Sequence, residues 1–345
     1  MIQQSDADKK MKSPRVTVLG DGGWGTALAV VNARRKNQIL LWSAFPDYAK
    51  ALREKRENAK FLPGVPLDPS IQISSDLAEA VRFGEIIILA IPTQFLRNVL
   101  YKVKEQNFKN KIFVSVAKGI EKKTCLRPSE IVTSILGNIP LAILSGPSHA
   151  EEVARGIPTL VVAASAGEKT AVAVQEALSD TYFRIYIQTD VTGVELAGAL
   201  KNVIAIAAGI CDGLKFGDNT KSGLITRGLF EMTRLGIRFG ANPNTFFGLA
   251  GVGDLVATCF SVHGRNLRVG RDLGQGRKLK EILGSMEMVA EGVDSAESVH
   301  QLCQKVNLSL PIIGEVYQIL FQGKDPKQAV LDLLHRDARE EWKQY

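Results

Sequence analysis

The chain has 345 residues, of which 45% are hydrophobic and 23% are charged, and its formal net charge is +7. These values are typical of a soluble globular protein with two domains of ordinary size. The apolar runs fall short of the roughly 18 residues of a membrane span, and the polar start MIQQSDADKKMK excludes a secretory signal. The sequence has no block of Lys and Arg interleaved with aromatic residues, which argues against nucleic-acid binding.

The N-terminal half alternates short apolar runs with helical patterns. Residues 1–13 are polar and predict a disordered tail. From residue 14 to residue 190, nearly continuous apolar strands separated by helices predict a Rossmann-type doubly wound parallel sheet of the α/β class. The predicted strands are 16–20, 39–42, 85–92, 111–119 and 141–147, with 158–165 and 182–188 extending or flanking the sheet.

The stretch VLGDGGWGTALA joins the first predicted strand to the first predicted helix. Gly20, Gly22 and Gly25 fill the three glycine places of GxGxxG, which serve a tight turn, a close approach to pyrophosphate, and close packing of helix on strand. The helix N-terminus adds N–H groups and a positive dipole for the anion. This context predicts a site for NAD or NADP.

The end of the second predicted strand leaves the choice of cofactor open. An acidic residue there binds the ribose 2′-OH of NAD, and an arginine favours the 2′-phosphate of NADP. This chain has Ser43 and Ala44 at that place, and Asp47 follows a little late. We therefore expect only modest discrimination between NADH and NADPH.

After about Thr189 the strand patterns stop, which predicts a second, all-helical domain over 191–345. We expect this domain to pack against the open carboxyl edge of the sheet, where ligands of such folds bind. The predicted helices are 191–210, 222–239, 243–259, 266–274, 277–284, 292–305, 311–321 and 326–335.

The first of these helices contains an unusual polar pair. Within ELAGALKNVIAIAAGI, residues 195–210, Lys201 and Asn202 are the only polar side chains after Glu195. The lack of a polar face predicts a buried helix, in which an ammonium group is costly unless it is paired or gives up its proton. Such a lysine is either a structural residue with a carboxylate partner or a group that takes part in chemistry.

The cysteines narrow the class of protein further. They lie far apart, with no CxxC pair and no histidine at metal-binding spacing. This predicts reduced thiols in a cytoplasmic protein, with neither a disulfide framework nor a metal site. The four are Cys125, Cys211, Cys259 and Cys303.

Several stretches together resemble one enzyme family from Gly20 to at least Glu291. They are VLGDGGWGTALA, VAKGIE, ILSGPSHAEE, ELAGALKNVIAIAAGICDG, GLAGVGDLVATC, HGRN and MVAEGV, in this order. The family is the bacterial NAD(P)-dependent glycerol-3-phosphate dehydrogenases. The resemblance implies reversible oxidation of sn-glycerol 3-phosphate to dihydroxyacetone phosphate, a role in supplying glycerol 3-phosphate for phospholipid synthesis, and a homodimer.

The resemblance also implies roles for individual residues, with Lys201 as the catalytic lysine. Substrate binding is implied for Lys118, Gly146, Ser148, Lys201, Asn202, Asp254, Gly264, Arg265 and Asn266. Cofactor binding is implied for Gly20, Gly22, Gly23, Trp24, Gly25, Lys118, Ala150, Arg265, Val289 and Glu291. Gly264 stands where many members have serine, so a hydroxyl contact is lost or is made by Ser261. His149 and His263 lie in the same motifs without a matching catalytic role, and we interpret each as a structural residue or as a support for residues that contact the ligands.

Elementary chemistry supports the role of the buried lysine. Oxidising a secondary alcohol requires a base for the hydroxyl proton, and the reverse reaction requires an acid. Burial and a second ammonium group at Lys118 lower the pKa of Lys201, whereas Asp254 and a substrate phosphate raise it. Two other functions remain open: a 3-hydroxyacid dehydrogenase of the lysine-based Rossmann type, and a non-catalytic module that senses NAD(H).

Overall fold

The computed structural model describes residues 13–261, 264–337 and 340–341. Except for Ser13, the predicted disordered tail lies outside the described residues. Ten strands occur in the described part of the chain. They are β1 Arg15–Leu19, β2 Gln38–Trp42, β3 Glu57–Asn58, β4 Leu62–Pro66, β5 Ile71–Ser74, β6 Ile86–Leu89, β7 Ile112–Ser115, β8 Leu141–Ser145, β9 Thr159–Ala164 and β10 Phe183–Gln188.

Eight of these strands form one sheet in the order β10-β9-β8-β7-β6-β1-β2-β5. All neighbours are parallel except β8 and β9, which are antiparallel. The predicted α/β class and all seven predicted strands are confirmed. The sequence did not predict the edge strand β5, the small antiparallel pair β3–β4, or the reversal at β9.

Helices cover both faces of the sheet, which explains why its strands are apolar throughout. Alternate residues of neighbouring strands enter two separate buried clusters, one containing Val18 and Leu41 and the other containing Leu19 and Leu40. The helices of this half are α1 Gly23–Arg34, α2 Pro46–Lys55, α3 Leu77–Phe83, α4 Thr93–Tyr101, α5 Pro128–Leu136, α6 Ala150–Ala154 and α7 Glu168–Leu178.

The rest of the described chain is helical, as predicted. Residues 243–259, predicted as one helix, instead form two helices joined by a π-helical turn at Leu249–Gly253. The helices are α8 Val191–Gly213, α9 Asp218–Arg238, α10 Pro243–Phe246, α11 Asp254–Phe260, α12 Arg265–Gly274, α13 Leu279–Gly284, α14 Glu291–Lys305, α15 Pro311–Gln322 and α16 Pro326–Leu334.

Helix α8 is the centre of this half, and α12 packs on it at very short range. A methyl group on Gly209 would lie 2.1 Å from the carbonyl oxygen of Leu267, and one on Gly270 would lie 1.9 Å from that of Ile206. Only glycine permits backbones to approach so closely. This contact holds the N-terminus of α12 beside the middle of α8.

Helix α8 is also long and apolar enough to cross a membrane by length and composition, and the whole of its most apolar window is buried inside the protein. The expectation that no apolar segment reaches the length of a membrane span was therefore wrong for α8. Burial of the entire window is typical of the core helix of a globular domain.

Candidate active site

The glycine-rich loop after β1 forms an open cradle at the N-terminus of α1. A methyl group on Gly25 would lie 2.0 Å from the carbonyl oxygen of Gly20, whereas one on Gly22 would meet nothing within 4 Å. The short distance at Gly25 reflects close packing of the helix on the strand, and the open space at Gly22 leaves room for a ligand above the loop. No side chain caps α1, so its first N–H groups and its dipole are available to an anion. These residues fit a dinucleotide pyrophosphate.

Two other predicted cofactor residues lie beside this loop. A methyl group on Gly23 would lie 3.7 Å from Cβ of Ala150, at the start of α6. Trp24 packs against Phe183 with ring centroids 6.2 Å apart, and its buried indole N–H has no hydrogen-bond partner in the described part of the chain.

The polar pair on α8 faces the carboxyl edge of the sheet. Lys201 is only 6% exposed. Its Nζ lies 2.7 Å from Oδ1 of Asp254 and 2.6 Å from Oγ1 of Thr258, so its three donors have two partners on α11. The ammonium group is thus neither unpaired nor exposed.

Asp254 joins this lysine to a second one. Lys118 follows β7, and its Nζ lies 2.8 Å from Oδ2 of Asp254, 2.9 Å from the carbonyl oxygen of Gly146 and 3.2 Å from Oγ of Ser148. Gly146 directly follows β8, so the contacts tie two neighbouring strand ends to the helical half. One buried carboxylate therefore lies between two ammonium groups.

The electrostatics of this lysine–aspartate cluster follow from burial and charge. Burial is the main reason why the pKa of Lys201 is lowered to about 8; Asp254 opposes the change, and the charge of Lys118 adds to it. Burial pushes the pKa of Asp254 up, but the two lysines outweigh it and leave this pKa below its usual value. Asp254 therefore stays ionised near neutral pH, while Lys201 is close to its titration point.

A second group of predicted residues lies around the N-termini of α12 and α14. Asn266 accepts a hydrogen bond from the backbone N–H of Gly292 at 3.0 Å. A methyl group on Gly292 would lie 2.7 Å from the backbone oxygen of Asn202, and the amide of Asn202 donates to the backbone oxygen of Lys118 at 2.9 Å. The two groups of residues are therefore in contact.

Arg265, Val289 and Glu291 complete this second group. Arg265 is exposed, and its Nη1 donates to the backbone oxygen of Val289 at 2.9 Å. One oxygen of Glu291 accepts from the backbone N–H of Thr93 at 3.2 Å, at the start of α4. The exposed guanidinium thus lies at the rim, while the lysine–aspartate cluster lies inside.

The remaining motif residues have mainly backbone contacts. Gly264 precedes α12, and a methyl group there would lie 3.2 Å from the backbone oxygen of Thr258, so a serine side chain would start close to the partner of Lys201. His149 lies 3.3 Å from the backbone oxygen of Ala257, and burial lowers its pKa. His263 lies outside the described residues.

Thr258 contacts the lysine–aspartate cluster and was missed by the sequence interpretation. It lies four residues after Asp254 on the same helix, and residues at this spacing share one face. Its hydroxyl also donates to the backbone oxygen of Asp254 at 2.6 Å, so it accepts from Lys201. The spacing within DLVAT was the available signal.

The Rossmann-type sheet, the phosphate-binding loop and the buried lysine–aspartate cluster together define a dinucleotide-dependent oxidoreductase. Residues 15–171 match the N-terminus, and residues 190–331 the C-terminus, of NAD-dependent glycerol-3-phosphate dehydrogenase. The chain belongs to this family.

Individual relatives agree over nearly their whole length. The NAD(P)+ glycerol-3-phosphate dehydrogenase of Chlorobium phaeobacteroides (strain DSM 266) is 47% identical over 330 residues, which cover 95% of this chain and 99% of that protein. The enzyme of the same name from Citrifermentans bemidjiense is 49% identical, with 95% and 98% covered. The crystal structure of glycerol-3-phosphate dehydrogenase from Coxiella burnetii is 38% identical, with a TM-score of 0.91 and coverage of 94% and 99%.

Proposed function

We propose that this protein is an NAD(P)-dependent glycerol-3-phosphate dehydrogenase, which interconverts sn-glycerol 3-phosphate and dihydroxyacetone phosphate. The observation that carries the proposal is the buried cluster of Lys118, Asp254 and Lys201, which lies at the edge of the sheet where dinucleotide folds bind ligands. Family membership favours this function over the 3-hydroxyacid dehydrogenase and the NAD(H)-sensing module.

Lys201 is the proposed acid and base of the reaction. A bound nicotinamide would supply the hydride acceptor for oxidation and the hydride donor for reduction. The neutral amine of Lys201 takes the hydroxyl proton during oxidation, and the ammonium form returns it to the oxygen during reduction. A pKa of about 8 leaves both forms accessible near neutral pH. Thr258 and Asp254 orient the amine through their hydrogen bonds.

Lys118 and the second group of residues have proposed binding roles. Lys118 adds a positive charge beside the reacting oxygen and holds Ser148 and the backbone of Gly146. Arg265 offers a planar fork of donors at the rim, which suits phosphate oxygens, and Asn266 adds an amide beside it. A phosphate at the rim and a hydroxyl inside match a short anionic substrate.

The glycine residues of the loop, with Trp24, Ala150, Val289 and Glu291, are the proposed cofactor contacts. We further propose a domain boundary near residue 190, because the last strand ends at Gln188 and α8 begins at Val191. From the family resemblance we also propose a cytoplasmic homodimer that supplies glycerol 3-phosphate for phospholipid synthesis. Gel filtration with light scattering measures the assembly.

One assay separates this function from its alternatives. The purified protein is mixed with dihydroxyacetone phosphate and NADH or NADPH, and oxidation of the nucleotide is followed by absorbance. A 3-oxoacid replaces the ketose phosphate in a parallel reaction. Turnover of dihydroxyacetone phosphate alone supports the proposal; turnover of the oxoacid alone, or nucleotide binding without any turnover, contradicts it.

The matched variant is Lys201→Met, which keeps a long apolar side chain on α8 and removes the amine. Loss of a general acid and base costs about 10²–10⁴-fold in rate. We expect NADH binding to persist, because Lys201 contacts α11 rather than the phosphate-binding loop. A variant that keeps a tenth or more of the wild-type kcat, which is about 1.4 kcal/mol or less of barrier, removes Lys201 from the mechanism.

A further inference from the structure

Asp21 of the glycine-rich loop lies near the end of β2, where the residue that distinguishes NAD from NADP is expected. The pairing of β1 with β2 extends to Gly20, whose N–H donates to the carbonyl oxygen of Trp42 at 3.1 Å. Asp21 and Ser43 directly follow these two paired residues. Asp21 is therefore beside the end of β2, although it belongs to the loop after β1.

The backbone of Asp21 is fixed by two side chains. Asn58 of β3 donates to its carbonyl oxygen at 2.7 Å, and the hydroxyl of Thr26 on α1 lies 3.3 Å from the same oxygen. Both donors are buried. These contacts fix the backbone of Asp21 and do not involve its carboxyl group.

The carboxyl group is buried without being satisfied. Asp21 is 8% exposed, and within the described part of the chain its Oδ2 has no hydrogen-bond partner. Burial raises its pKa, while the Ser43 hydroxyl and the charge of Lys60 pull the pKa back. Leaving a buried acceptor unpaired is unfavourable, so a ligand that supplies hydroxyl donors would satisfy it.

The charges around the end of β2 favour the same kind of ligand. Ala44, Phe45 and Asp47 follow Ser43, and none of them carries a positive charge. Lys60 is exposed and lies over the Phe61 ring at 5.0 Å, and it is the cation whose charge acts on the Asp21 carboxyl group. A phosphate monoester placed here would meet the carboxylate of Asp21, and residues 43–47 offer it no arginine.

We propose that Asp21 is a specificity-determining residue that accepts hydrogen bonds from the adenosine ribose hydroxyls and makes the protein prefer NAD(H) over NADP(H). The inference rests on the proposed function, because it concerns the nucleotide of that reaction. It differs from the expectation of modest discrimination, which rested on Ser43, Ala44 and the late position of Asp47 and did not consider Asp21. The ribose 2′-OH donates to a carboxylate, whereas a 2′-phosphate is repelled by it.

The test is the dissociation constant of NADH and of NADPH, measured by fluorescence titration without any substrate. We expect wild-type protein to bind NADH at least about tenfold more tightly than NADPH. Asp21→Asn and Asp21→Ala should each shrink this ratio by about tenfold or more, with tighter binding of NADPH. Asp47→Asn is the matched control, because it removes an exposed negative charge from the start of α2 and should leave the ratio unchanged.

Each outcome decides the proposal. Wild-type protein that binds NADPH as tightly as NADH overturns it without any variant. An unchanged ratio in both Asp21 variants also overturns it, and an equal effect of Asp47→Asn assigns the selection to Asp47. Because no substrate is present, a protein that selects NADH but does not turn over dihydroxyacetone phosphate would contradict the proposed function alone.

Discussion

Replacing Asp254 with asparagine tests how two lysines share one carboxylate. The substitution keeps the shape of the side chain and removes a charge that lies 2.7 Å from Nζ of Lys201 and 2.8 Å from Nζ of Lys118. The buried ammonium group of Lys201 and the partly buried one of Lys118 then lie together without their counter-ion. Removing one partner of a buried ion pair costs about 3–5 kcal/mol when the remaining charge is retained.

The variant can avoid part of this cost by releasing a proton. Burial and Lys118 already lower the pKa of Lys201 to about 8, and Asp254 is the group that opposes this. Without Asp254, Lys201 is neutral at neutral pH and lacks the proton needed for reduction. We therefore expect reduction of dihydroxyacetone phosphate to slow by about 10²–10⁴-fold, with a pH profile displaced to lower pH.

The assay is kcat/KM for dihydroxyacetone phosphate across pH, with thermal unfolding measured on the same samples. Asp218→Asn is the control, because Asp218 is an exposed aspartate in the first turn of α9. It should behave as wild type in both measurements. A displaced profile in the control, or an unchanged profile in Asp254→Asn, would refute the reasoning.

Three further predictions concern the rim, the fold and the loop. Arg265→Ala should lower kcat/KM for dihydroxyacetone phosphate by an amount equivalent to about 2–5 kcal/mol of transition-state stabilisation, and it should hardly change kcat/KM for dihydroxyacetone. Equal losses on the two ketoses would assign the phosphate contact to Lys118 instead. Glu231 accepts two backbone N–H groups of α15, and burial raises its pKa to about 7. Because burial favours the neutral form of Glu231, the wild-type protein should lose stability as the pH rises from about 4.5 to about 7. In thermal unfolding, this loss should exceed that of Glu231→Gln by up to about 3 kcal/mol. Parallel unfolding curves of the two proteins would contradict this. Gly25→Ala should destabilise the fold, because its Cβ would lie 2.0 Å from the carbonyl oxygen of Gly20. Gly22→Ala has open space around its Cβ and should keep the wild-type Tm but weaken NADH binding. The reverse pattern would contradict the role of this loop in cofactor binding.

Much of the fold was predictable because burial on both faces leaves a simple pattern. Strands such as β6 have no polar face, so their apolar runs stand out from the flanking helices. The edge strand β5 has only four residues, alternates in burial, and resembles a loop. The reversal at β9 was not predictable, since an apolar run specifies a strand without specifying the direction of its neighbour.

The candidate site could be located in the sequence where a polar residue interrupts an apolar helix, as Lys201 and Asn202 do. Thr258 and Asp21 were missed for different reasons. Thr258 acts through a hydroxyl on an unremarkable helical face, and its partner on α8 is 57 residues away in sequence. Asp21 occupies a variable place inside GxGxxG, and only the pairing of β1 with β2 brings it beside Ser43.

The central claim is that Lys201 exchanges the proton of the reaction. The most direct measurement is kcat/KM in both directions as a function of pH, for wild type beside Lys201→Met. Because each turnover releases or takes up a proton, the ratio of the two directions changes about tenfold per pH unit with any catalyst. The titrating group determines where each direction levels off.

With a pKa of about 8 in the free protein, oxidation of glycerol 3-phosphate should rise with pH and level off above that value. Reduction of dihydroxyacetone phosphate should be level below the same value and fall above it, and the residual rate of Lys201→Met should lack this inflection. A wild-type inflection far from this pKa, or one that Lys201→Met retains, would contradict the account.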